Sequence, residues 1–398
     1  MPTAVLDFDF ENLPAQIDNL AGYNRALCLI RFRSKPVGQK ILPVHNGQII
    51  IKDFYHEICE AAGFRLPILW LHQYLDMDEH KSNSFRTPKA TIAICTRNRT
   101  QDLRRCLNAL IKLPDDGQEI LVIDNCPSTD ETYQLVAPYA GVRYIREPRP
   151  GLNIARNRAL QEAQHEVVAF TDDDAVPDIT WLRALLKNFD NPLVLCVTGL
   201  TMPLELETEA QEAFEKYNSF NKGFTKKLYS SIKNNPLATG NVGAGANMAL
   251  RKSVQQEVGF FDEALDAGTL TQSGGDHEFF ARILLAGFYI VYEPEALSWH
   301  RHRRTWRETR KAIEGYGTGV YAFWTRTLFV EREFSIVRFP WDWFMDEQLP
   351  KLVRAIIRRP NAQPLSLVLA ELRGCYMGPW AYFLSRRLLR KKRRLHEQ

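Results

Sequence analysis

The chain predicts an α/β fold: a mostly parallel sheet with flanking helices, preceded by a small α+β unit and followed by a helical C-terminal region. Three observations carry this. Short apolar runs alternate with helix-period stretches between residues 90 and 301, and such alternation buries a parallel sheet on both faces. Polar residues close the runs at Thr96-Arg97-Asn98, Asp124-Asn125 and Asp172-Asp173-Asp174, and the carboxyl ends of strands are where open α/β sheets gather ligands. The composition, 45% hydrophobic and 25% charged over 398 residues, suits one sizeable domain with one or two smaller parts.

Residues 1–75 hold two β-like stretches, 26–33 and 47–51, around a turn-rich Lys35-Pro36-Val37-Gly38, then a helix-like 54–62. These form the N-terminal α+β domain. The polar stretch 76–89, with Lys81, Ser82, Asn83 and Ser84, reads as a linker. The central domain spans 88–302. Its strands are predicted at 91–95, 119–124, 142–145, 167–170, 193–198 and 288–292, and its helices at 101–113, 129–137, 152–162, 179–189 and 276–286. From 303 to 398 a long helical pattern leads into the aromatic-rich 321–344. A further helix at 365–373 then precedes Gly378-Pro379-Trp380 and a basic tail.

Charge excludes one class of partner. The tail 386–398 carries seven Lys or Arg residues against Glu397, so it holds +6 while the whole chain is only +4. The rest is therefore at −2, which argues against nucleic acid. Seven cysteines, odd in number and without a C-x-x-C pair, suit reduced thiols better than disulfides or zinc. Residues 1–13 carry Asp7, Asp9 and Glu11 and do not form a signal peptide. The apolar stretch 191–204 is shorter than the ~18–20 residues of a spanning helix. The expectation is a cytoplasmic protein. Aromatic and leucine residues among the tail's charges suggest peripheral attachment through 380–398 to an anionic membrane surface, the inner face of the plasma membrane. A solvated basic end is the alternative.

The three aspartates follow Val167-Val168-Ala169-Phe170-Thr171. Carboxylates crowded at the end of a buried strand repel one another and lose solvation. A hard divalent cation, Mn²⁺ or Mg²⁺, reverses that balance. Strand alternation puts Asp172 and Asp174 on one face and Asp173 on the other. A solvated acidic turn is the competing reading.

Five stretches in this order, TIAICTRNR (91–99), ILVIDNCPSTD (120–130), GLNIARN (151–157), FTDDD (170–174) and GGDHEFFAR (274–282), resemble the family 2 glycosyltransferases of bacterial polysaccharide type. These are inverting enzymes of the GT-A (Rossmann-like) fold, and the resemblance covers about 88–302. It implies that Thr96, Arg97 and Asp124 line the nucleotide pocket, with Asp124 accepting from the base; an Asx turn is the alternative use of Asp124. Arg156 would bridge to the base or diphosphate, or sit on the surface. Asp172 would hold the donor ribose and Asp174 would ligate the metal bridging the diphosphate, with Asp173 grouped beside them.

Asp276 would be the general base, although Gly275 stands where the family often has Glu; helix N-capping is a compatible role. Glu278 would face elsewhere, toward the acceptor. His300 would complete the metal site, while its neighbours Arg301, His302, Arg303 and Arg304 make a phosphate clamp the alternative. GNVGAGANM (240–248) resembles the acceptor-side loop, whose glycines admit a sugar or simply form a turn.

The implied function is metal-dependent inverting transfer of a sugar from a nucleotide-diphosphate donor to a hydroxyl of a saccharide or lipid-linked acceptor, in envelope or exopolysaccharide assembly. A nucleotidyltransferase is disfavoured because Thr96-Arg97-Asn98-Arg99 replaces the Gly-rich loop after the first strand. A non-catalytic protein that keeps the fold to bind a sugar or nucleotide is the remaining alternative.

Overall fold

The computed structural model describes residues 2–75 and 87–396. Most of the linker stretch, 76–86, lies outside them, as do the last two residues of the tail.

The central sheet grows from Ala90–Thr96. Ile92 and Ile94 join one core cluster with Leu103, Cys106 and Leu107 of helix Thr100–Leu110, and with Trp181. Ala93 belongs to the opposite face, with Ala155 and Ala159 of helix Leu152–Glu162. Small residues on both sides let that helix lie close to the sheet. Val142–Glu147, Glu119–Asn125, Ala90–Thr96 and Val167–Asp172 lie side by side, all parallel. The chain builds outward from Ala90–Thr96 and then crosses back to place Val167–Asp172 on the other side. The order therefore reverses at the ends of these two strands, which makes a switch point. Register brings Thr96 level with Asp124 and Cys95 level with Asp172.

Beyond Val167–Asp172 the sheet is mixed. Asn247–Arg251 enters antiparallel between it and Val194–Pro203, which runs parallel to Tyr289–His300. Ala175–Pro177 and Lys227–Tyr229 pair antiparallel with that last strand. The segment read as a loop, 240–248, thus ends in a buried strand. Asn247 is tolerated there because its amide is fully used: it donates to the Leu200 and Ala296 carbonyls (2.9 Å each) and accepts from Trp181 Nε1 (2.8 Å).

In the N-terminal region Thr3–Asp9 runs parallel to Arg25–Phe32, which pairs antiparallel with Lys35–Pro43. Residues 35–38 are therefore strand, not turn. The turn is at Arg33 and Ser34, both left-handed (φ 53° and 65°), as a tight hairpin requires. Leu27 and Leu29 pack with Leu200, Met202, Leu206 and Leu297 of the central region, and Arg31 bridges Asp7 and Asp178 (2.7 and 2.6 Å).

After residue 303, helix Trp306–Arg326 starts at a Thr305/Glu308 capping box. The helix expected at 365–373 continues through Pro379 to His396. Glycines bring three helices into backbone contact. Gly274 (φ +92°) precedes helix Gly275–Leu285, and a Cβ on it would strike the Gly319 carbonyl. Where helix Trp306–Arg326 crosses helix Leu365–His396, a Cβ on Gly317 or Gly374 would strike the carbonyls of Glu371 and Glu314 respectively.

Candidate active site

Asp172, Asp174 and His300 each offer a ligand atom, and all three atoms lie within 4.8 Å of one another. The fold brings them together simply. Asp172 ends its strand, and Ala175–Pro177 returns against Tyr289–His300 with Ala175 opposite His300. Asp174 Oδ2 accepts from Arg99 Nη1 (2.9 Å) and Arg303 Nη1 (3.3 Å). Its Oδ1 is buried and has no hydrogen-bond partner among the described residues; His300 Nε2 stands 3.2 Å away, outside hydrogen-bond alignment. Burial works to raise the Asp174 pKa, but His300, Arg99 and Arg303 hold it well below the usual carboxylate range. Burial and the Asp174 charge raise that of Asp172. His300 is raised: burial opposes its charge, and Asp174 outweighs burial. Two carboxylates, one imidazole and an orphaned buried oxygen fit a hard divalent cation that accepts nitrogen, so the residues present suit Mn²⁺ or Mg²⁺.

The strand ends at Asp172, so alternation does not carry on to Asp173, whose carboxylate shares Arg99 Nη1 with Asp174. Asp173 accepts from Thr96 Oγ1 (2.7 Å) and Arg99 Nη1 (2.9 Å), and burial with the Asp174 charge pushes its pKa up to about 7. Thr96 is thereby committed to Asp173. Asp124 is fully buried. One oxygen accepts from Tyr144 (2.8 Å), and the other has no hydrogen-bond partner among the described residues, so the carboxylate is not spent on an Asx turn. Burial raises its pKa. Arg97 is exposed, its guanidinium 4.0 Å from Cys126 Sγ.

Arg156 is not a surface residue. It is 4% exposed, pairs with Asp266 Oδ2 at 2.8 Å and lies over the Phe261 ring. Asp276 sits in the first turn of helix Gly275–Leu285, whose N-cap is Gly274, so it does not cap the helix. Its oxygens accept from the Gly245 and His277 amides (2.8 Å each). Burial pushes the Asp276 pKa up, but the His277 and Arg156 charges and these two amides leave it below the ordinary value. Gly245 has its function here: a Cβ would collide with the Arg156 guanidinium and crowd Asp276. The loop glycine allows close approach to protein side chains.

Glu278 does not face an acceptor. It is buried and pairs with Arg282 (2.9 Å) and Arg326 (2.7 Å). Two members of the supposed phosphate clamp are likewise engaged, Arg301 with Asp102 (2.7 Å) and Arg304 with Glu205 (2.6 Å). Sequence reasoning missed Arg99, Asp266, Glu215 and Tyr316. Tyr316, from helix Trp306–Arg326, lies in the field of Arg303, Asp174, Asp276 and Asp172, and burial raises its hydroxyl pKa. Only Arg99, inside the first motif, had a local signal. The others meet the site across long sequence separations.

Residues 91–259 match the family model described as Glycosyl transferase family 2. The pre-mycofactocin glycosyltransferase of Mycobacterium tuberculosis is 29% identical over 238 residues, which are 56% of this chain and 46% of that protein; the chain thus spans about half of that relative. The O-antigen chain rhamnosyltransferase WbaN of Salmonella anatum is 27% identical over 241 residues, 59% of this chain and 72% of that protein. Among solved structures, the mannosyltransferase PcManGT of Pyrobaculum calidifontis, in complex with GDP-Man and Mn²⁺, is 18% identical, with a TM-score of 0.46 over 83% of this chain and 84% of that one. The matched segment 91–259, which holds the strands ending at Thr96, Asn125 and Asp172, is thus similar to glycosyl transferase family 2.

Proposed function

We propose that this protein is a metal-dependent inverting glycosyltransferase that moves a sugar from a nucleotide-diphosphate donor to a hydroxyl of a saccharide or lipid-linked saccharide. The observation that carries the reading is the Asp172, Asp174 and His300 cluster at the strand ends, with Asp174 and His300 buried, Asp172 half-buried, and an Asp174 oxygen that no hydrogen bond among the described residues uses. Asp172, Asp174 and His300 would hold the cation, which supplies charge neutralisation on the departing nucleoside diphosphate. Asp124 offers its free oxygen to a base amide, and Arg97 is exposed near the same strand ends. Arg99 and Arg303 steady Asp174. Asp276 takes the proton from the acceptor hydroxyl as that oxygen attacks the anomeric carbon. Its lowered pKa keeps it ionised at neutral pH, as a base must be. Relatives named as O-antigen chain rhamnosyltransferases support a carbohydrate acceptor and a role in envelope polysaccharide assembly.

A thermal-shift screen of nucleoside diphosphates with Mn²⁺, Mg²⁺ or EDTA tests the donor site. One nucleotide should raise Tm only with the cation present, corresponding to about 2.7 kcal/mol at a hundredfold excess over Kd. Equal shifts in EDTA would remove the metal from the reading. No shift with any nucleotide would favour a non-catalytic role.

The membrane partner is proposed over a longer surface than 380–398. Among the described residues no helix is long and apolar enough to cross a membrane. Helix Leu365–His396 buries Val368, Cys375 and Tyr382, and exposes Leu369, Tyr376, Met377, Trp380, Leu384 and Leu388 on another stripe. Tyr376 and Trp380 are 77% and 69% exposed. The exposed Phe329 meets Phe383 at 5.2 Å, widening the stripe, and Arg373, Arg387, Arg390 and Lys391 flank it. Aromatic rings among cations suit an anionic interface, each cation adding about 1 kcal/mol near the surface. In co-sedimentation, phosphatidylglycerol vesicles should retain the protein and phosphatidylcholine vesicles should not. Trp380→Ser with Tyr376→Ser should release it; undiminished binding by that variant would sink the assignment.

A further inference from the structure

We propose that Glu215 and His302 are positioning residues that fix the ring tautomer of His300, so that its Nε2 presents a lone pair to a divalent cation. The inference rests on the metal site proposed above and concerns what stands behind it. Three side chains form a line. Glu215 Oε2 lies 3.0 Å from His302 Nε2, and His302 Nδ1 lies 3.1 Å from His300 Nδ1. An ionised carboxylate can only accept, so the His302 proton sits on Nε2 and, in the neutral ring, its Nδ1 is an acceptor. The facing Nδ1 of His300 must then be the donor. In the neutral ring, the form a cation requires, this points the His300 Nε2 lone pair at Asp174 Oδ1, 3.2 Å away. A proton or a cation can sit between that lone pair and the carboxylate, and the line behind His300 fixes Nε2 as the nitrogen that serves it.

The support for this line is built into one helix face. On helix Glu209–Asn218, Gln211 and Glu215 are one turn apart. The Gln211 amide donates to the His302 carbonyl (3.2 Å) while Glu215 takes the ring. Between them Phe214 lies 4.6 Å from the His302 ring, and Phe220 meets His300 edge-on at 5.2 Å. The Thr208/Gln211 capping box fixes the start of the helix. His302 is thus held by backbone, ring face and ring edge at once. Burying a Glu–His pair costs desolvation that packing alone does not return, whereas orienting a ligand gives it a purpose.

The test is Mn²⁺ binding to the full chain, read from the electron paramagnetic resonance signal of free Mn²⁺ at fixed pH. His302→Phe keeps the aromatic packing and breaks the line, and should weaken Mn²⁺ about 10–100-fold. Glu215→Ala should fall in the same range. Glu215→Gln, whose amide oxygen still accepts from His302 Nε2, should stay within about threefold of the natural chain. If His302→Phe does not fold, the two Glu215 variants decide the matter alone. Natural affinity in Glu215→Ala, or an equal loss in Glu215→Gln, overturns the tautomer role and leaves the metal site standing. Absence of Mn²⁺ binding by the unmodified chain overturns both.

Discussion

Asp276→Asn is expected to lower kcat about 10³-fold, within the range typical of a lost general base, while donor binding measured by thermal shift persists. The argument starts from the two amides. Each Asp276 oxygen accepts one backbone N–H, from Gly245 and from His277. Both bonds leave lone pairs for an incoming hydroxyl. Asn keeps the shape and one acceptor, losing one amide bond worth roughly 1 kcal/mol. The fold should therefore survive, so the activity loss would report chemistry. Because charges and amides hold the Asp276 pKa below the ordinary value, its protonation should not limit kcat/KM at neutral pH; its acid limb should fall below the usual carboxylate range. Transfer by the Asn variant at the natural rate would falsify the base assignment.

Arg156→Met should destabilise the protein by about 3–5 kcal/mol, the cost of removing one partner of a buried ion pair. Arg156 is nearly inaccessible, and its charge acts on Asp266, Asp276 and Asp172 together. The pH dependence has a definite sign. Burial already raises the Asp266 pKa, while Arg156 opposes that rise. Without Arg156 the folded value climbs further above the unfolded one, so the folded state binds the extra proton. The variant's deficit should shrink as pH falls below the folded pKa and grow as pH rises through it. Melting curves of both proteins between pH 5 and 8 (a range chosen about neutrality) check this; parallel curves would mean that Asp266 is not the group left unpaired.

How far the sequence was legible follows from where each signal lies. The parallel strands announce themselves because each is a buried apolar run with a polar end, and the same ends carry Asp124, Asp172 and Asp174. Strand Lys35–Pro43 was hidden by Pro36 and Gly38, which read as a turn; Pro36 is allowed because the strand is an edge and the register shifts beside it. Strand Asn247–Arg251 was hidden by the glycines before it and by Asn247, whose burial depends on partners at Trp181, Leu200 and Ala296. Asp172, Asp174 and His300 share a neighbourhood, whereas the resemblance implied a metal site from Asp174 and His300 with Asp172 on the donor ribose. The residues that set their charge and orientation were not legible. Asp266 meets Arg156 across 110 positions, and Glu215 meets His302 across 87. No spacing rule links such pairs, since only the packing of helices and loops on the finished sheet makes them neighbours.

The glycine contacts bear on how this chain could be recombined with its relatives. The family match ends at residue 259, yet the turn that carries Asp276 rests, through Gly274, directly on the backbone at Gly319. Bare backbones have no rotamers with which to accommodate a foreign surface. A chimera spliced near residue 303 would set that turn against whatever side chain its donor brought to the place of Gly319, and would exchange Tyr316 as well. The transplantable module therefore extends at least through Arg326, the end of the helix that contains Gly319. Hybrids joined beyond that helix keep both contacts, and only those can exchange the outer surface without disturbing the turn at Asp276.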